Sequence, residues 1–208
     1  MDQEIEVKFY LASPDALRQR VIAAGAELVQ PRVLERNLRF DTEAMDLRAK
    51  AQVLRLRADQ TARLTFKGPG QAREGVLERQ EIEFEVSDFG AARRFLEALG
   101  YRAYTSYEKL RETFLLDGVQ VSLDAMPFGF FAELEGPSAG AIRAAADKLG
   151  LDWNRRLTAS DLDQFEALKA RLNLNADALT FEGFRGLTIR AEDLGVLPAD
   201  AAEGKENR

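Results

Sequence analysis

Apolar and polar residues alternate with a period of two through most of the first 135 residues, the spacing expected of strands that bury one face. In residues 4–9, Ile5, Val7 and Phe9 share one side, while Glu4, Glu6 and Lys8 share the other. The same pattern predicts strands over 33–41, 53–58, 63–67, 78–86, 103–116, 119–125 and 131–135. Gly68-Pro69-Gly70 breaks the pattern once, and Asp117-Gly118 marks a hairpin turn. Helical spacing appears after the first strand, where Ser13 is placed to cap, Pro14 sits at the first helical position and Leu17, Val21 and Ile22 form a stripe. It returns over 88–99, with Phe89, Ala92, Phe95, Leu96 and Leu99 in register before Gly100. Further helices are expected over 138–149 and 160–172.

The short connections favour antiparallel neighbours, because parallel strands need long crossovers. Eight such strands can form an open sheet with one wet face, or close into a barrel with helices outside and charges inside. The polar faces bear on that choice. Arg55 and Arg57, then Arg63, Thr65 and Lys67, then Arg79, Glu81, Glu83 and Glu85, then Lys109 and Arg111, then Asp124, then Glu133 and Glu135 carry few neutral side chains. A solvated face would accept Ser, Thr or Gln at many of these positions. Enclosing so many charges is tolerable only if ligands compensate them. A polyanion with divalent cations would do so, phosphate oxygens meeting Lys and Arg, and metal meeting carboxylates.

Composition narrows the chemistry. The 208-residue chain contains no Cys and no His, which removes disulfides, thiolate and imidazole catalysis, and Cys- or His-ligated metals. Reaction chemistry must rest on carboxylates, Lys, Arg, Tyr and a hard cation. The net charge of −6 disfavours a nucleic-acid partner. The charged first ten residues do not resemble a signal peptide, and no apolar run reaches the length of a membrane span, so no membrane partner and a cytoplasmic location are expected.

Several segments together resemble the CYTH, or triphosphate tunnel metalloenzyme, superfamily. The hallmark is Glu4-Ile5-Glu6-Val7-Lys8, a Glu-x-Glu-x-Lys strand. Phe40-Asp41-Thr42, Leu54-Arg55-Leu56-Arg57, Phe66-Lys67-Gly68-Pro69, Glu81 with Glu83, Glu108-Lys109-Leu110-Arg111, and Ser122-Leu123-Asp124 followed by Gly129-x-Phe131-x-Glu133-Leu134-Glu135 match further motifs in order. The resemblance implies an α+β fold built on an eight-stranded antiparallel β-barrel with helices packed outside. It also implies binding of a triphosphate-containing small molecule with Mg²⁺ or Mn²⁺. Carried over by position, Glu4, Glu6, Glu133 and Glu135 would bind metal. Glu81, Glu83 and Asp124 would be catalytic, holding a second metal or orienting water. Lys8, Arg55, Arg57, Lys67, Lys109 and Arg111 would bind the phosphates. Arg39 stands where the family usually has an aromatic residue, and Phe128-Gly129 replaces the usual Leu-Gly; the first departure bears on the tunnel mouth and on substrate choice.

The implied activity is metal-dependent hydrolysis of inorganic triphosphate, thiamine triphosphate or a nucleoside triphosphate. The same groups would serve a class IV adenylate cyclase, which also needs an adenine pocket that the sequence does not identify. A non-catalytic polyphosphate or nucleotide binder on the same scaffold is the third reading. The expected organisation is a tunnel domain over 1–165, a helical extension over 166–197 packing on it, and a disordered tail over 198–208. A homodimer is compatible with the family.

Overall fold

The computed structural model describes residues 3–157, 159–174 and 178–201. Eight strands form the frame: β1 (Gln3–Leu11), β2 (Glu27–Asp41), β3 (Val53–Ala58), β4 (Ala62–Lys67), β6 (Val76–Val86), β7 (Arg102–Leu116), β8 (Val119–Met126) and β9 (Gly129–Glu135). Their hydrogen-bonded order is β1–β9–β8–β7–β2–β3–β4–β6, and every adjacent pair is antiparallel. The pairing of β1 with β6, Glu4 opposite Arg79 and Glu6 opposite Leu77, closes the sheet into a ring. Two short strands lie beside it: β5 (Gln71–Arg73) on β6 and β10 (Arg156–Leu157) on β1. Of the two arrangements the alternation allowed, the closed one, which the family resemblance implied, is therefore the one adopted.

Outside the ring, apolar faces are covered by α1 (Pro14–Ala23), α3 (Phe89–Ala98) and α4 (Ala139–Lys148), while α5 (Asp161–Leu172) lies across one end of the lumen. The largest apolar cluster joins Phe9, Val121 and Leu134 of the sheet to Leu17 and Ile142 of the helices. A second, on the lumen side of the strands, holds Phe131 and Tyr107 against Phe165 of α5 and Phe184 beyond it, and a third, outside, places Leu96 of α3 on Phe40 and Leu56. Phe9, Phe40, Phe131 and Phe165 are fully buried, each contributing about 1.5–3 kcal/mol of transfer free energy. The ring is thus apolar on its outer face, where Ile82 and Phe84 of β6 stay exposed, and charged within, with an apolar plug at the end that α5 crosses.

β2 begins at Glu27, ahead of the expected start at residue 33. Pro31 lacks an N–H, and the β2–β7 ladder shifts register between Leu28 and Gln30 and again between Gln30 and Val33, so the two-residue period breaks although pairing continues. α5 runs through the boundary expected at residue 165. The chain expected to be disordered from residue 198 is tied down as far as Asp200. Ala199 donates to the Tyr10 carbonyl at 2.9 Å, and the Asp200 carboxylate accepts from the backbone N–H of Ala12 and Ser13 at 2.7 Å each. The remainder of that tail, residues 202–208, lies outside the described residues. Among the described residues no helix is long and apolar enough to cross a membrane.

Candidate active site

The ring encloses a cavity of about 1260 Å³. Because strand side chains alternate, each strand contributes every second residue to it. Every site residue expected from the sequence lines this cavity except Asp124, which lies just behind it.

Asp124 organises the centre of the basic row. Its carboxylate accepts from Lys109 Nζ at 2.9 Å, from Arg111 Nε at 2.7 Å and from Arg111 Nη2 at 2.6 Å. Glu133 receives Lys8 at 2.8 Å, Lys109 at 3.7 Å, and Arg111. Burial works to raise the Glu133 pKa, but Arg111, Lys109 and Lys8 outweigh it and hold the carboxyl well below its usual range. On the opposite wall, Arg57 lies 3.0 Å, Arg55 3.3 Å and Arg63 3.9 Å from Glu83, which also accepts from Thr65 Oγ1 at 2.7 Å. These cations are aimed by carboxylates yet keep N–H groups turned toward the cavity.

The other end is acidic. Glu4 accepts from Lys67 and, at 2.6 Å, from Arg79 Nε; Glu6 accepts from Arg79 Nη2 at 2.8 Å; Glu81 lies 3.2 Å from Lys67. Burial works against the Glu4 charge, but Lys67 and Arg79 prevail and bring its pKa down to about 2. Its neighbours move the opposite way. Glu6 is pushed up by burial and by Glu4, and Glu81 by burial with Glu4 opposing the help of Lys67. Burial, together with Glu4 and Glu81, pushes Glu135 up to about 7. Carboxylates that hinder one another's ionisation are a donor set suited to a hard, oxygen-liganded divalent cation. Among the described residues no three acidic side chains already converge as a metal cage, because Glu4 and Glu6 are turned onto Lys67 and Arg79. The residue types fit a cation; their side chains must swing from the basic partners to hold it.

Sequence reasoning missed three contributors. Arg79 bridges Glu4 and Glu6, and its alternation with Glu81 and Glu83 could have flagged it. Glu35, 1% exposed, lies 3.4 Å from Arg57 and 4.0 Å from Arg111; it is in phase with Arg39 on β2. Asp161, at the start of α5, forms an ion pair with Lys8. No periodic signal marks a helix terminus reaching into a ring, so only the tertiary arrangement reveals it.

An antiparallel ring with a lumen of paired charges of both signs defines a charged β-tunnel. The chain belongs to the CYTH domain family, whose model matches residues 2–168. A protein of Methanocaldococcus jannaschii, provisionally named an adenylate cyclase, is 25% identical over 134 residues, covering 64% of this chain and 75% of that protein. A Vibrio parahaemolyticus structure with the same provisional name superposes with a TM-score of 0.72 at 22% identity, covering 80% of this chain and 99% of that one. A Hippeastrum protein, provisionally an adenylyl cyclase and described as having a dominant triphosphatase activity, gives a TM-score of 0.58 at 22% identity over 78% of this chain and 95% of that one.

Proposed function

We propose that this chain is a divalent-metal-dependent triphosphatase that removes the terminal phosphate of inorganic triphosphate, thiamine triphosphate or a nucleoside triphosphate. The observation that carries the reading is the order of charge along one cavity: a row of Lys8, Lys109, Arg111, Arg55 and Arg57 adjoining the crowded carboxylates Glu4, Glu6, Glu81 and Glu135. Phosphate oxygens would replace Glu133 and Asp161 as partners of the basic row, each contact a charge-assisted hydrogen bond. Glu4, Glu6, Glu133 and Glu135 would hold Mg²⁺ or Mn²⁺, which when bound supplies neutralisation of phosphate charge and a more acidic water.

Glu81 is the best-placed proton acceptor among the chain's own groups. Its raised pKa and its contact with Lys67 suit a base that takes a proton from water as the oxygen attacks phosphorus. The new P–O bond forms in line with the bridging P–O bond that breaks, and the departing diphosphate keeps the electron pair, stabilised by Lys8, Lys109 and Arg111. Glu83, tied to Arg55 and Arg57, orients those cations, and Asp124 does the same for Lys109 and Arg111.

The family also supports cyclisation of ATP, and two relatives bear cyclase names. Hydrolysis is favoured because it requires only water and the phosphates, whereas cyclisation also requires a purine pocket; the cavity beyond Arg55 is lined by Arg39 and Arg48 with Tyr104. Inorganic triphosphate, thiamine triphosphate, ATP and GTP should be offered with Mg²⁺ and with Mn²⁺, scoring orthophosphate, pyrophosphate and cyclic nucleotide separately. Orthophosphate release is expected, and Glu6→Gln should abolish it while leaving the melting transition nearly unchanged. Pyrophosphate and cyclic AMP appearing in equal amounts from ATP would establish the cyclase instead.

A further inference from the structure

On β2 the residues facing the lumen are Glu35, Asn37 and Arg39, and the strand ends at Asp41. Asn37 is 1% exposed, yet neither its amide nitrogen nor its amide oxygen has a hydrogen-bond partner among the described residues; the buried Nε of Arg39 has none either. Buried polar atoms without partners on consecutive lumen positions are the mark of a site that expects a ligand or ordered water. Arg39 is also directly opposite Arg55 in the β2–β3 ladder, an arrangement that costs energy when nothing lies between the guanidinium groups. Glu83 answers the charge of Arg55, but no carboxylate among the described residues lies within 4.0 Å of Arg39.

Two further features converge there. Opposite Arg39 and Phe40, the ladder of β2 with β7 slips so that Thr105 and Ala103 are paired and Tyr104 is left over. A bulge of this kind re-aims a side chain, and Tyr104 lines the cavity. The short helix α2 (Asp46–Ala49) is pinned by Asp41, whose carboxylate accepts from the backbone N–H groups of Thr42, Leu47 and Arg48 at 2.8–2.9 Å. Asp41 is thereby spent on the backbone, and Arg48 reaches the same cavity as Arg39 with no carboxylate within 4.0 Å among the described residues.

The ring fixes where this cluster lies. Four antiparallel steps separate β1 from β2, so the two strands run in the same sense. Along β2, Glu35 is level with Lys109, Asn37 with Arg57 and Arg39 with Arg55, so the Arg39 cluster continues the basic row past Arg55, on the side away from Lys109. A cavity of about 1260 Å³ also exceeds the roughly 300–1,000 Å³ of ordinary small-molecule sites.

We infer that Arg39, Arg48, Tyr104 and Asn37 form an additional anion subsite beyond the triphosphate row, taking the fourth phosphate of a linear polyphosphate. This rests on the reading of the tunnel as a triphosphate site. Affinities of tripolyphosphate and tetrapolyphosphate should be measured by calorimetry with a chelator present, for the wild type, Arg39→Ala and Arg48→Ala. Arg48 is exposed, so its variant tests the subsite even if Arg39→Ala folds poorly. Wild type should bind tetrapolyphosphate at least tenfold more tightly, and each variant should lose most of that gain while changing tripolyphosphate affinity less than threefold. Equal losses for both anions would reduce the cluster to general attraction at the mouth and overturn the subsite. So would a wild type that binds both anions equally. Failure to bind tripolyphosphate at all would instead overturn the tunnel reading.

Discussion

Replacing Asp124 with Asn tests whether the basic row is held by the carboxylate behind it. The substitution keeps shape and removes one charge. Asp124 is 2% exposed, and its two oxygens accept three charge-assisted bonds from Lys109 and Arg111. The amide retains one acceptor oxygen and presents an NH₂ to donors that cannot accept from it. Each lost bond to a charged group is worth about 1.5–3 kcal/mol, and removing one member of a buried pair costs about 3–5 kcal/mol. The cations are not abandoned, since Glu133 is 3.7 Å from Lys109 and also pairs with Arg111, while Glu35 is 4.0 Å from Arg111. The expected loss is therefore at the lower end, about 2–4 kcal/mol, or about 5–15 °C in melting temperature for a chain of this size.

Urea unfolding followed by the fluorescence of Trp153, the single tryptophan, reads this directly. A second titration adds tripolyphosphate without divalent ions. At a hundredfold excess over Kd it should stabilise the wild type by about 2.7 kcal/mol, and the Asn variant by more, because the anion meets cations that have lost a partner. An Asn variant within about 0.5 kcal/mol of wild type would refute the claim that Asp124 carries the row, since surface changes fall in that range.

Asp161→Asn removes the carboxylate that occupies Lys8, and should lower the Kd of tripolyphosphate several-fold by calorimetry; weaker binding would make Asp161 part of the binding site and not a competitor for it. Glu135, near 7 in the fold against an ordinary 4.5, retains its proton in the folded state where the unfolded chain has released it, so stability should fall as pH rises from 4.5 through 7. Glu6 and Glu81, also raised, add with the same sign. Without divalent ions, moving from pH 5.5 to 8 should cost about 1–2 kcal/mol after discounting for a side chain that keeps some water, and Glu135→Gln should flatten the profile. A wild-type profile already flat across that window would place Glu135 outside the acidic cluster.

The alternation in β1, β3, β4, β6, β7, β8 and β9 was legible because one face of each strand is apolar and the other lines a charged lumen, so composition and period agree, even on β6, whose Ile82 and Phe84 stay exposed. Arg55 beside Leu56, or Glu133 beside Leu134, announces both sides of the wall in adjacent residues. Legibility failed where the determining contact is distant in sequence. Pro31 and the register shifts hid the first half of β2. Asp161 faces Lys8 only because α5 crosses back over the ring, and the anchor made by Asp200 depends on backbone donors at Ala12 and Ser13 that no local pattern selects. Closure itself rests on β1 meeting β6, a pairing between residues about seventy positions apart that the charge density suggested but no turn residue specified.

The charges in the lumen also explain how so polar an interior can fold before any ligand arrives. Each end supplies its own counterions: Lys67 and Arg79 for Glu4 and Glu6, and Glu133, Glu83, Glu35 and Asp124 for the basic row. Neutralising partners lower the desolvation cost that isolated buried ions would impose. The same pairing sets the affinity a ligand must overcome, because every phosphate oxygen displaces a carboxylate and every cation displaces an ammonium or guanidinium. A triphosphate and a divalent cation binding together exchange partners at both ends at once: the phosphates take Lys67 and Arg79 from the carboxylates that the cation then holds. Each ligand should therefore raise the affinity of the other, by the reciprocity that coupled binding requires.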